Sequence, residues 1–173
     1  MINLIKESTL ETASPVCSVT DSISRALSVV ETVCQTRGVQ FTPMRKLVLQ
    51  TLWEAAQPLG AYNILKRLED QLHRRVTPPT VYRALDFLLE QRFISKLESR
   101  NAYVPCANFD HPHACIYFIC ENCGASEEIE DRSVQRVFER KAGVKGFRIN
   151  RSVIELQGLC SFCLPTSSIL SLE

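Results

Sequence analysis

Cysteine pairs are the residues most able to do chemistry in this chain. Cys120-Glu-Asn-Cys123-Gly124 and Cys160-Ser-Phe-Cys163 are separated by 36 residues. A two-residue gap lets both sulfurs of a turn point at one ion, and Gly124 tolerates the tight backbone that follows. Two such turns complete a tetrahedral four-thiolate zinc site with no open position, the structural type of centre. The alternatives are two disulfides or one redox pair. A redox CxxC sits after a strand and before a helix in a βαβ frame, and neither pair has that setting. The chain also contains no His-x-Glu followed by Pro-Cys-x-x-Cys, the pattern of a zinc deaminase. A closed ligand set and the missing pattern point to a protein that is not an enzyme and takes no small-molecule substrate.

The elements around these cysteines read as an α+β chain. Residues 1–20 lack periodicity and are expected to form a disordered tail. Ile23, Ala26, Leu27, Val30, Val33 and Cys34 recur at steps of three and four, which predicts a helix over 22–37 stopped by Gly38. Thr42-Pro43 opens a second helix, because proline at the first helical position needs no N–H partner. A third covers about 61–73. Thr77-Pro78-Pro79-Thr80 leads into a fourth, with Val81, Leu85, Leu88 and Leu89 inward and Thr80, Tyr82 and Arg83 facing out at its first turns. Residues 93–98 and 102–104 read as a hairpin. Short helices followed by a hairpin describe a winged helix, over 21–104. Strands are expected at 115–119, 125–129 and 147–156, with a helix capped by Asp131 or Ser133 between the last two.

Charge follows this division. Residues 22–105 carry 12 Lys/Arg against 7 Asp/Glu, whereas 106–173 carry 7 against 9, so a near-neutral chain holds a basic middle. That suits a nucleic-acid-facing half joined to a half with another task. Residues 1–20 contain no apolar core of a signal peptide, and no run approaches 18 apolar residues, so cytoplasmic location without a membrane span is expected.

Arg37-Gly38, Phe41-Thr42-Pro43, Ala61-Tyr62, the run Pro78–Gln91, Tyr103-Val104-Pro105-Cys106 and Phe118–Ala125 together resemble the ferric uptake regulator family over roughly residues 24–163. Iron-sensing members carry a His-rich stretch where this chain reads Asp110-His111-Pro112-His113, so the resemblance favours the zinc-sensing branch. It implies a homodimeric repressor of zinc-uptake genes that binds AT-rich palindromes in double-stranded DNA when loaded with zinc. An iron or peroxide sensor of the same family, or a redox-switched zinc protein, is the alternative.

The resemblance also implies one structural and one regulatory zinc per monomer. Cys120, Cys123, Cys160 and Cys163 would hold the first, in a dimerisation domain over 115–173. Cys106, His113 and Glu128 would hold the second, at a hinge over 105–114. Ser95 stands where close relatives place a fourth ligand, a histidine. Water or His111 is the expected replacement. Cys115 is a further candidate, although a cysteine so placed reads more readily as core. Tyr62, Thr80, Tyr82 and Arg83 are the expected DNA contacts, Tyr62 on the resemblance alone.

Overall fold

The structure is a computed structural model that describes residues 15–55, 57–106, 109 and 115–164, with side chains from residue 22 onward. Among these, five α-helices and two small sheets alternate as α1 (Pro15–Thr36), α2 (Pro43–Trp53), α3 (Ala61–Leu72), α4 (Pro78–Glu90), β1 (Ile94–Leu97), β2 (Ala102–Pro105), β3 (Cys115–Cys120), β4 (Ser126–Ile129), α5 (Arg132–Val144) and β5 (Val153–Gly158). The expected α+β class and its winged-helix order hold.

Helix α1 packs on α2 and buries Leu27, Val30 and Cys34 in the first apolar cluster. Its outer face is rich in hydroxyls, and Ser28, Thr32 and Thr36 each donate to the carbonyl four residues earlier. It begins at Pro15, so the reading of residues 1–20 as a tail is corrected for its last six positions. The apolar period in the sequence extends back through Val19 and Val16, and Pro15 supplies the helix start. Residues 1–14 lie outside the described residues. Gly38 ends the helix region at φ +67°, a conformation that costs glycine little. Both predicted proline starts hold, at Pro43 and Pro78, but neither Thr42 nor Thr77 makes a side-chain capping bond.

The wing is an antiparallel β1–β2 pair, with a 3-10 turn (Glu98–Arg100) and Asn101 in the left-handed region between them. Sequence reading missed a third contribution. Leu59 exchanges two backbone hydrogen bonds with Tyr103, at 3.1 and 2.8 Å, and so pins the loop before α3 to the wing.

The second sheet has the order β4-β3-β5, with β4 antiparallel and β5 parallel to the central β3. Strand β3, Cys115-Ile-Tyr-Phe-Ile-Cys120, is apolar on both faces: Cys115, Tyr117 and Ile119 are buried towards the wing, whereas the opposite face includes the half-exposed Phe118. Strand β5 starts at Val153, later than the expected 147. Gly146, at φ +65°, turns the chain out of α5, and Phe147 N–H bonds back to Ala142. The pairing can begin only where β3 begins, at Cys115 opposite Val153. Asp131 caps α5 by accepting from Ser133 and Val134 N–H at 2.7 and 3.3 Å.

Two apolar clusters result. One fills the space between α1–α4 and the wing. The other, built from Leu97, Val104, Cys106, Cys115, Tyr117 and Ile119, lies where the wing meets the second sheet.

Candidate metal centres and nucleic-acid interface

The β3–β5 register brings the two cysteine turns together. Cys120 ends β3 opposite Gly158, and Glu121 N–H bonds to the Gly158 carbonyl at 2.8 Å, so Cys160 lies two residues beyond the last pair. Gly124, at φ +75°, closes the first turn. Cys163 N–H returns to the Cys160 carbonyl at 2.9 Å and closes the second. The four sulfurs lie within 4.8 Å of one another. Cys123 and Cys160 are 3.7 Å apart. A zinc–sulfur distance of about 2.3 Å requires edges of about 3.8 Å in a tetrahedron, which matches that pair. No disulfide joins the seven cysteines whose side chains are described.

The electrostatics suit a cation at the centre. Backbone N–H groups of Cys123 and then Cys160 point at Cys120 and pull its thiol down to about 6. Asn122 acts on Cys163 in the same direction, but hydrogen bonds shared with Cys160, Cys120 and Cys123, together with burial, leave that thiol at about 11. Several neighbouring thiolates repel one another, and a dication among them removes that penalty.

A second donor cluster forms at the seam between wing and sheet. Antiparallel partners share a face, and so do residues two apart on a strand. Glu128 pairs with Tyr117, and Cys115 is two residues from it, so Cys115 and Glu128 occupy the face turned towards the wing. Cys106 follows β2 and is held by its N–H to the Phe93 carbonyl at 3.0 Å. Its sulfur is 3.5 Å from Glu128 Oε1. The donor atoms of Cys106, Cys115 and Glu128 all lie within 4.8 Å of one another. Ser95, 2% exposed, lines a cavity of about 20 Å³ with Cys106 and Cys115. Such a space has room for one water or ion. Burial pushes the Tyr117 hydroxyl above the usual tyrosine range, and that oxygen makes no hydrogen bond of ordinary geometry although the Ser95 hydroxyl is near.

Of the residues expected from the sequence at this second centre, Cys106 and Glu128 are thus brought together, and Ser95 lies beside them. His111 and His113 lie outside the described residues. Cys115, read first as core, is buried and also one of the three clustered donors.

Polar ties at the seam were invisible in the sequence. The Glu155 carboxylate accepts from Glu98 and Ser99 N–H at 2.7 and 3.2 Å. Burial opposes its charge, but Ser99 Oγ and those two N–H groups outweigh it and hold the carboxyl below the usual range. Arg100 donates to the Cys120 carbonyl at 3.0 Å and Gln57 to the Cys123 carbonyl at 2.9 Å. The wing is therefore bonded directly to the turn that carries the first pair of sulfurs.

Helix α4 buries Val81, Ala84, Leu85, Phe87 and Leu88 and turns Tyr82 and Arg83 to solvent at its first turns. Thr80 is half-buried, its hydroxyl 2.8 Å from that of Thr77. Tyr62 begins α3 and is 76% exposed. Exposed aromatic and cationic side chains at the N-terminal ends of neighbouring helices form a surface suited to a DNA groove. Arg45 is committed elsewhere, stacked 3.5 Å over the Phe87 ring and bonded to the Gln40 carbonyl. Among the described residues, no helix is long and apolar enough to cross a membrane.

Comparison with known proteins places these features in context. A family model described as the ferric uptake regulator family matches residues 36–157. The zinc uptake regulation protein of Escherichia coli (strain K12) is 42% identical over 143 residues, 82% of this chain and 83% of that protein. The peroxide operon regulator of Bacillus subtilis (strain 168) is 31% identical over 78% of this chain and 90% of its own length. Among solved structures, a zinc uptake regulator complexed with zinc and DNA matches with a TM-score of 0.76 at 41% identity, covering 82% of this chain and 94% of that one. Holo XcZur matches with a TM-score of 0.73 at 38% identity, covering 80% and 96%.

Proposed function

Because the chain belongs to the ferric uptake regulator family, we propose that it is a zinc-responsive transcriptional repressor, a homodimer that grips AT-rich palindromic operators of zinc-uptake genes when loaded with zinc. The observation that carries this reading is the pair of unlike donor clusters. One is a closed set of four sulfurs within a single domain. The other joins the end of the wing, at Cys106, to the second sheet, at Glu128. Similarity to a zinc uptake regulator solved with zinc and DNA supports it. On this reading the chain divides into a winged-helix unit (21–104), a hinge (105–114) and a dimerisation unit (115–173); the first apolar cluster lies in the winged-helix unit, and the second spans its junction with the sheet. The protein acts in the cytoplasm, without an enzymatic activity.

Two zinc ions per monomer are proposed. Cys120, Cys123, Cys160 and Cys163 hold one for stability. Cys106, His113 and Glu128 hold the other for regulation, with Ser95 beside it where a stronger ligand is expected. A bound dication supplies charge neutralisation and a rigid link between the donors. Cys106 then anchors the wing strand, and Glu128 anchors β4, so the angle between reading head and pairing base is held in one of two states. Glu155, Arg100 and Gln57 add the polar contacts that this closed arrangement uses. In the regulatory state, the N-terminal turn of α4 enters the major groove of each half-site. Arg83 donates to guanine, Tyr82 and Thr80 contact phosphate or thymine methyl, and Tyr62 reaches the backbone from α3.

DNA binding measured against buffered free zinc, with metal counted per monomer, tests the reading. Two zinc ions are expected, one tight and one exchangeable. Loss of the exchangeable ion alone is expected to weaken operator binding on the order of 5–150-fold, the usual range for coupled sites. Undiminished grip after that loss would show that the protein does not sense zinc. Recovery with iron or manganese but not zinc would move the chain to another branch of the family, and immediate loss on mild oxidation would favour a redox switch.

Arg83→Ala is expected to cost about 1–3 kcal/mol of specific binding and to relax preference at one position of each half-site. Titration of operator and scrambled duplexes at equal salt separates this from phosphate contact. Equal losses on both duplexes would remove Arg83 from base reading.

A further inference from the structure

The weak point of the regulatory centre is Ser95. A neutral hydroxyl is a poor zinc ligand, and Ser95 nevertheless sits buried against the cavity that Cys106 lines. We infer that Cys115 is a direct ligand of the exchangeable zinc and supplies the donor that Ser95 does not. This inference rests on the proposed regulatory site and names one more of its ligands.

Three observations carry it. Cys115 opens β3, its N–H bonded to the Ser152 carbonyl at 3.2 Å, so its position is set by the sheet rather than by a loop. Its side chain lies on the face that also carries Glu128 and Tyr117. Its sulfur falls within 4.8 Å of both Cys106 Sγ and a Glu128 oxygen, and the 3.5 Å edge between those two is close to that of a zinc-sized tetrahedron. Cys115 packs in the apolar cluster at the seam and also lines the small cavity there, together with Ser95, Cys106, Arg92 and Arg151.

The chemistry differs from that of a site with one thiolate. Two thiolates and a carboxylate bring three negative charges to a dication. Sulfur donors favour zinc over the harder iron(II) and manganese(II) ions. These three donors leave one position of a tetrahedron open to a further ligand. Replacing histidine at position 95 by serine, and using a cysteine at position 115, moves one ligand from the wing to the sheet. The wing then contributes Cys106 alone, which makes that residue its only direct link to the ion among the described donors.

The test uses the full chain with its structural zinc retained and cobalt(II) placed in the exchangeable site. Cys115→Ser is expected to halve the thiolate-to-cobalt charge-transfer intensity and to weaken exchangeable zinc by about 100-fold or more. That is beyond the roughly 10–100-fold cost of losing a partner outside the coordination sphere. Adding Ser95→His to Cys115→Ser is expected to restore affinity but not the lost charge transfer, because nitrogen replaces sulfur. Unchanged intensity and affinity in Cys115→Ser would overturn the inference. Cys106→Ser is the control for the parent reading. If it empties the site while Cys115→Ser does not, only the role of Cys115 falls. If both leave the exchangeable metal bound, the regulatory site itself is elsewhere. X-ray absorption at the cobalt edge of the unmutated protein decides the matter even if Cys115→Ser misfolds: two sulfur neighbours support the inference and one overturns it.

Discussion

Cys120→Ser is expected to abolish the structural zinc, the second sheet and the dimer in a single step, while leaving the helical half folded. The reason is the thinness of the C-terminal unit. Neither β4, α5 nor β5 contains a fully buried residue, and β3 alone supplies the sheet's buried side chains. Burial on that scale does not offset the chain entropy of some fifty ordered residues. The sulfur cluster ties the end of β3 to the end of β5, which closes the longest loop of the unit. Structural zinc contributes on the order of 10 kcal/mol in apparent terms. A serine at position 120 removes the sulfur on which the Cys123 and Cys160 N–H groups converge, and leaves three thiols without a closed set. The core of α1–α4 draws nothing from this cluster. Zinc content, circular dichroism and sedimentation velocity together check the expectation. A zinc-free variant that remains folded and dimeric would refute it.

Substituting Phe118 or Phe138 by Glu is expected to separate the protomers without unfolding them. Phe118 is 48% exposed on the central strand of its sheet, beside Leu156, its register partner on β5, at 47%. Phe138 and Val137 are similarly exposed on α5, a helix with no buried residue in the single chain. An amphipathic helix that leaves much of its apolar stripe exposed among the described residues suits another surface, and an apolar patch of this kind marks an interface. A second copy of the chain is the proposed occupant. Well-buried aromatic residues each contribute about 2 kcal/mol or more to an interface. A two-fold axis places every substitution twice, so the expected cost is about 4 kcal/mol, roughly a thousandfold in the dimer dissociation constant. Because both side chains are already exposed in the isolated chain, the melting of the helical half should be unchanged. Binding to a palindrome should fall with dimerisation, and binding to a half-site should not. A dimer of undiminished stability in both variants would place the interface elsewhere.

How much of this was readable in advance depended on sequence separation. The cysteine turns, the proline-led starts of α2 and α4, and the inward and outward faces of α4 are local patterns, set by residues within one or two turns of each other. They were legible for that reason. The hairpin of the wing was legible too, but the Leu59–Tyr103 pairing was not, since nothing near Leu59 marks a strand. The start of α1 was missed because Ser and Thr masked a period that continues back to Pro15. The strand placed at 147–156 was read too long, because apolar residues from Phe147 onward resemble a strand until the length of β3 limits the pairing.

The amino-acid order alone determined which residues could act: four sulfurs in two turns, and a helix presenting Tyr82 and Arg83. Only the tertiary structure decided that Cys115 meets Cys106 and Glu128, and that Glu155 holds the turn of the wing. Those contacts depend on the register of β3 with β4 and β5 and on the packing of the wing against their shared face. A one-residue slip in either pairing would turn Cys115 or Glu128 to the opposite side of the sheet, and no local pattern records that choice.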